Sequence, residues 1–304
     1  MENGPVVSVI VLTYNSSRTV IETLDSIRNQ SYRNIELIVT DDKSKDDTVA
    51  ICKEWIERNS ERFINCVIIE PEANTGTSAN CNRGIKASQG EWIRIIAGDD
   101  LIPDAAIETQ ISYIRDNEDV RILNGYCINF KEENGVKIEL PSPKKIEMNA
   151  RFYDSTAQYQ YQYLLRHFGF GLTDGTLVHR SVYQDITMYD ESYSLIEDLP
   201  FWLNVTKAGV KYHYVDTPAT LYRIHDSVVH SVGERIANQT FWDIRRRIIN
   251  DMIKPNLPWS AISCQRKIMV DNIMYWFVFR VFHNRRSFMS RVVMAVLYKI
   301  YGGY

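Results

Sequence analysis

The sequence predicts an α/β protein built on an open, mostly parallel sheet flanked by helices, with a helical C-terminal region. Three observations carry that prediction. Short apolar runs alternate with stretches of helical period through the first 115 residues, the pattern of strands joined by right-handed helical crossovers. Two of those runs end in paired carboxylates, Asp41-Asp42 and Asp99-Asp100. The last seventy residues then turn helical and basic.

The elements follow in order. Val6–Leu12 reads as a buried strand. Ser17–Asn29 has helical spacing through Val20, Leu24 and Ile27, with Ser16 or Ser17 as N-cap. Ile35–Val39 is the second strand and Asp46–Asn59 the next helix. Asn65–Ile69 is a strand, and Thr77–Ala87 a short helix ended by Gln89-Gly90. Trp92–Ile96 is the fourth strand. Pro103–Arg115 is a helix with proline in its first turn. Arg121–Phe130 is a further strand, and Glu132–Gly135 the turn of a hairpin. Ala150–Phe170 has no clean period, and the glycines of Phe168–Thr176 leave two readings, a ligand-approaching loop or a core-edge connection. Thr176–His179 reads as a strand, Leu195–Gly209 as a helix closed by its glycine, and Lys211–Asp216 and Leu221–Ile224 as two strands.

Residues 1–232 are thus expected to form one catalytic-sized domain and 233–304 a basic amphipathic extension. From Gln265 to Tyr304 the net charge is +6, around the apolar stretches Ile273–Phe279 and Val292–Tyr298. Two readings stand for this tail: helices lying on an anionic membrane surface, or a helical pair packed on the core domain with its basic side solvated.

Composition narrows the class. With 304 residues, 45% hydrophobic and 24% charged, the chain is globular. A net charge of −3 gives no global drive toward nucleic acid, so no nucleic-acid partner is expected. Five scattered cysteines without a CxxC pair argue against a disulfide scaffold or zinc site and fit a reducing cytoplasm. Met1–Pro5 has no basic region before an apolar stretch, so no signal peptide is expected, and no apolar run approaches a membrane-spanning length.

In an open parallel sheet, ligands bind outside the carboxyl ends of the strands. Carboxylates there are expected to face a nucleotide or a hard divalent cation rather than the core. Thr13-Tyr14-Asn15 follows the first strand. Asp42 is placed to accept from a base or ribose. Asn74–Gly84, including Asn80, opens the third helix with small and polar residues, and its positive end suits phosphate. Asp99-Asp100 suits a divalent metal that neutralises a diphosphate.

This assembly resembles the family 2 glycosyltransferases of the GT-A fold, a Rossmann-like sheet flanked by helices, over roughly Pro5 to Ser231. The matching text is Val7–Asn15, Glu36–Thr48, Asn74–Gly84, and Gly90–Ile93 running into Gly98-Asp99-Asp100. Tyr189-Asp190-Glu191, Glu197-Asp198 and Tyr222–His225 follow. Lys43 stands where the family's Asp-Asp-Gly-Ser pattern has glycine. The resemblance implies a nucleotide-sugar donor, usually a UDP-sugar, whose nucleoside is held by Thr13, Tyr14 and Asp42; Asn15, Asn80 and Asp99 are further candidates for contact with the nucleotide. The resemblance also implies Mn²⁺ or Mg²⁺ at Asp100 with Asp99, and Asp198 as the base of a single inverting displacement; His225, after a strand and before Asp226-Ser227, is a further candidate for the metal. Glu197, Asp174 and Trp202 are then placed toward a saccharide or lipid-linked acceptor in surface polysaccharide synthesis, in the cytoplasm and at the inner membrane face.

Plainer readings accompany several residues. Glu197-Asp198 also fits an acidic helix start, Trp202 fits the core of that helix, and a single histidine such as His225 is commonly structural. A sugar nucleotidyltransferase would carry glycines after the first strand, where Thr13–Arg18 has none. A dinucleotide enzyme would show GxGxxG there. A non-catalytic relative would not need Asp100 and Asp198.

Overall fold

The computed structural model describes residues 4–133, 135–140, 151–168, 175–224 and 235–301. Among them, eight strands form one sheet: β1 (Val7–Thr13), β2 (Ile35–Asp41), β3 (Asn65–Ile69), β4 (Trp92–Ala97), β5 (Ile122–Glu133), β6 (Val136–Glu139), β7 (Thr176–His179) and β8 (His213–Arg223). The order is β3-β2-β1-β4-β7-β5-β6, with β8 pairing β5. The helices of this part are α1 (Val20–Arg28), α2 (Thr48–Asn59), α3 (Thr77–Ala87), α4 (Ala106–Arg115), α5 (Ala157–Arg166), α6 (Arg180–Asp185) and α7 (Asp198–Lys207).

β1 pairs β2 and β4 in parallel, and β2 pairs β3 in parallel. These strands are continuous apolar runs because both faces are covered. One core cluster joins Val7, Val9 and Val11 of β1 to Leu24 and Ile27 of α1, Trp55 of α2 and Ile107 and Ile111 of α4. β7 is antiparallel to both β4 and β5, and β6 closes the hairpin with β5. β2 and β3 lie on one side of β1 and β4 lies on the other. The crevice between the carboxyl ends of β1 and β4 is therefore a topological switch point.

Local readings needed correction where tertiary bonds intervened. α1 starts at Val20 behind a turn, and the carbonyl of Ser16, not a serine side chain, accepts from Val20. α4 starts at Ala106, whose N–H donates to Pro103. The two strands expected over 211–224 are one strand, β8, with register shifts where Pro218 faces Tyr126. Proline cannot donate to the ladder there, and the strand bulges instead of ending. α7 begins only at Asp198. It closes as read, with Gly209 at φ 90° and the N–H of Val210 bonded to Val205.

The chain divides into two compact units. One is Met1–Tyr163 with Phe170–Ile224, and the other is Leu164–Gly169 with His225–Tyr304. In the second, α8 (Gln239–Ile248), α9 (Ile262–Trp276) and α10 (Phe288–Tyr301) are joined through π-helical segments at Ile249–Ile253 and Phe277–Val281. Val270, Met274, Val278, Met294 and Leu297 form its core. Asp271 is buried there and pairs with Arg245 at 2.6 Å.

Candidate active site

The register of the parallel strands assembles the site. Thr13 lies beside Asp41 across the β1–β2 pair, and Leu12 beside Ala97 across β1–β4. The loops that leave these strands, Tyr14-Asn15, Asp42–Lys45 and Gly98–Asp100, emerge side by side at the switch point. Gly98 donates its N–H to Leu12, and Thr19 donates its hydroxyl to Gly98, which ties the last loop to the first.

The carboxylates are not simply displayed in this crevice, as position alone suggests. Asp41 is fully buried. Its carboxylate accepts from the Thr13 hydroxyl (2.7 Å), the Ser44 hydroxyl (2.5 Å) and the Ser44 N–H (2.7 Å). Those bonds hold Lys43 at φ 68°, the left-handed geometry that the usual glycine would supply. Thr13 is thereby a support for the loop rather than a direct contact. Asn15, exposed and at φ 53°, staples the same loop: its N–H donates to Ser44, and its side chain accepts from the Lys45 N–H.

Asp42 also turns inward. It accepts from the N–H and hydroxyl of Thr75 and from the N–H of Gly76, and Arg83 lies 3.5 Å away. Its place beside the crevice stands, but its carboxylate fastens the loop before α3. Asn80 is corrected likewise. It is buried, bonded to Thr40 through both ends of its amide, and accepts from Arg83 at 2.6 Å. Arg83, not singled out from the sequence, is the hub: it also reaches Thr75 at 2.6 Å. Its signal was an arginine one helical turn after Asn80 on the same face.

Asp100 is buried, and its Oδ1 accepts the Arg223 N–H at 2.8 Å. Asp99 is half-buried, and its carbonyl accepts from Arg223 Nε. The Arg223 guanidinium also pairs with Glu132 at 2.8 Å and Glu22 at 3.2 Å, over the ring of Phe130. A bridge between Leu101 and Leu221 fixes the strand end beside the acidic pair. Two carboxylates fit Mg²⁺ or Mn²⁺, which take oxygen ligands and share them with substrate phosphates. Among the described residues no cluster of three or more potential ligands occurs. His225 and Asp174 lie outside the described residues.

Asp198 is held through α3. Gly76 sits at φ 87° with no room for a side chain against Ser194. Thr77 donates its N–H to Ser194 and Ser78 its hydroxyl to Tyr193, while the Asn82 amide bonds to Tyr189 and Glu191. The segment that delivers Glu197 and Asp198 is thus fastened to the helix whose first turn holds Asp42. Asp198 is the first residue of α7 and half-buried. Burial, then the charges of Glu197 and Asp198, push the Cys81 thiol well up. Burial also raises the phenols of Tyr183, Tyr189 and Tyr212, and the charge of Asp198 adds to each. Trp202 is a correction as an acceptor contact. It is 1% exposed, packed edge-on to Phe201 and Tyr212, and reads as core.

Residues 8–187 match the family model for glycosyl transferase family 2. The chain belongs to that family. An uncharacterized glycosyltransferase of Haemophilus influenzae is 26% identical over 304 residues, covering 99% of this chain and 87% of the relative. The amylovoran biosynthesis glycosyltransferase AmsB of Erwinia amylovora is 28% identical over 254 residues, covering 82% of this chain and 78% of AmsB. The crystal structure of S. aureus TarS in complex with UDP-GlcNAc superposes with a TM-score of 0.63 at 18% identity. That match covers 97% of this chain and 80% of the crystallised TarS fragment, residues 1-349, and establishes the shared fold. This family 2 chain therefore carries its paired carboxylates and its Glu197-Asp198 step on the expected scaffold.

Proposed function

We propose that this glycosyltransferase moves a sugar, with inversion, from a nucleotide-sugar to a hydroxyl of a saccharide or lipid-linked oligosaccharide in surface polysaccharide synthesis. The observation that carries the reading is the strand order. It sets Tyr14-Asn15 and Asp99-Asp100 side by side at the switch point of the sheet, where an α/β fold takes its nucleotide. A UDP-sugar is the donor class favoured by the likeness to TarS, whose complex holds UDP-GlcNAc. The pathway is favoured by the likeness to AmsB.

In the reaction, Asp198 accepts the proton of the acceptor hydroxyl as that oxygen attacks the anomeric carbon. The bond from that carbon to the diphosphate oxygen breaks, and the nucleoside diphosphate leaves from the opposite face. Asp99 and Asp100, with His225, would hold a divalent cation, which when bound supplies charge neutralisation for the diphosphate. Arg223 orients the Asp100 carboxylate through its main-chain N–H and ties down the main chain of Asp99 through its side chain, and the bonds from α3 to Tyr189–Ser194 hold the segment that leads to Asp198.

The test is turnover of UDP-sugars, read as released UDP with and without added oligosaccharide acceptor. Asp198→Asn is expected to cut turnover by about 10²-fold or more while UDP still binds. Turnover unchanged in Asp198→Asn would remove it as the base.

A further inference from the structure

The second unit carries a surface that the transferase chemistry does not use. Of the sixteen large hydrophobic side chains exposed among the described residues, ten lie between Trp259 and Val296. They form stripes rather than scatter. On α9, Ile262, Met269, Ile273 and Trp276 follow one another at intervals of seven, four and three residues, which is one helix face. On α10, Phe288, Met289, Val292 and Val296 make a second stripe. The opposite sides of both helices already fill the unit's core through Met274, Met294 and Leu297. Trp259 is 93% exposed and Phe288 80%. Trp259, Leu257, Met269, Ile273 and Trp276 border an open groove of about 610 Å³.

The charge around these stripes is predominantly positive. Residues 235–301 hold twelve Lys and Arg, three Asp and no Glu, an excess of nine positive charges in a chain of net −3. Of the three acids, Asp271 is buried against Arg245, and Asp243 accepts from Tyr275 at 2.6 Å. Arg247, Lys254, Arg266, Arg280, Arg285 and Arg286 are all exposed. Exposed Trp and Phe bodies among exposed arginines in net excess match the headgroup–acyl boundary of an anionic bilayer, where aromatic rings bury and cations meet lipid phosphates. No helix among the described residues is long and apolar enough to cross a membrane.

We infer that α9, α10 and the turn bearing Trp259 form an in-plane docking surface for an anionic lipid bilayer. Trp259, Trp276 and Phe288 are its apolar anchors, and the surrounding arginines hold the headgroups.

The test is co-sedimentation of the full, unliganded chain with vesicles, so it is independent of any transferase assay. Vesicles of phosphatidylcholine with roughly one-third phosphatidylglycerol are expected to take the protein down, with a blue shift of tryptophan emission. Vesicles of phosphatidylcholine alone are expected to leave most of it in solution, and raising salt to about 0.5 M should release it. Trp259→Ala/Trp276→Ala/Phe288→Ala should abolish binding. Arg285→Gln/Arg286→Gln should weaken it about 30-fold, from about 1 kcal/mol per arginine near such a surface. All these side chains are exposed, so circular dichroism should match the parent. Failure to sediment with anionic vesicles would overturn the inference. So would binding that survives the triple substitution, or a salt-sensitive oligomer in vesicle-free solution that the triple substitution dissolves.

Discussion

Asp100 and Arg223 show how single residues make this site. The Asp100 carboxylate is oriented by a main-chain N–H 123 positions later, and the Arg223 side chain crosses beneath it to Asp99, Glu132 and Glu22. Groups that orient metal ligands typically affect affinity tenfold or more. Arg223→Met keeps the apolar bulk over Phe130 and deletes the polar reach. It is expected to weaken metal-dependent UDP binding about tenfold by calorimetry, with the fold retained. An unchanged affinity would make Arg223 purely structural. The paired carboxylates themselves were legible as acids that follow two apolar strand patterns. Their burial was not. The partners of Asp42 are Thr75 and Gly76, more than thirty residues away, and only the packing of α3 brings them there. Lys43 was legible as an anomaly, and its φ of 68° shows the chain keeping the turn at the cost of a left-handed lysine.

At the scale of elements, α3 links the loop that holds Asp42 to the segment that leads to Asp198. It lies so close to β1 that a Cβ on Gly84 would sit 2.4 Å from Ile10 Cγ2 and 3.2 Å from Thr40 Cγ2. Alanine ordinarily favours a helix by about 1 kcal/mol over glycine. Here Gly84→Ala is expected to destabilise by about 1–3 kcal/mol in urea melts, because the helix is pinned at Asp42 and at Tyr189–Ser194 and cannot retreat. α6 carries a pH signal. His179 caps it, accepting from the Ser181 N–H, and its pKa is lowered below 6.5, by burial first and then by Arg121 and Arg180 against the opposing Glu91. The unfolded chain therefore binds the proton more readily. The stability that depends on neutral His179 is complete above pH 6.5 and is lost as pH falls from there through the lower value of the folded state. Unfolding at about pH 7.5 and about pH 5.5 should show that loss, and His179→Asn, which keeps a capping acceptor, should reduce it. The residue left over belongs in part to His213, lowered by burial and Lys211. β1 to β4 and their helices were readable because their burial is two-sided or one-faced and so periodic. β8 was not, because a bulge at Pro218 looks in sequence like a strand break.

At the scale of the whole molecule, the chain combines a family 2 catalytic unit with a helical unit of opposite charge balance. That imbalance was visible in composition, whereas the exposure of the apolar stripes required the helices to be packed, since the sequence cannot say which face of α9 meets its neighbours. The central claim concerns the first unit: the switch point between β1 and β4 binds a nucleoside diphosphate with a divalent cation at Asp99-Asp100. Titration of UDP into the full chain with and without Mn²⁺, on the parent and on Asp100→Asn, tests it directly. Metal-dependent binding that weakens about tenfold or more in Asp100→Asn is the predicted result. UDP binding indifferent to both metal and Asp100, or no binding of UDP at all, would contradict it.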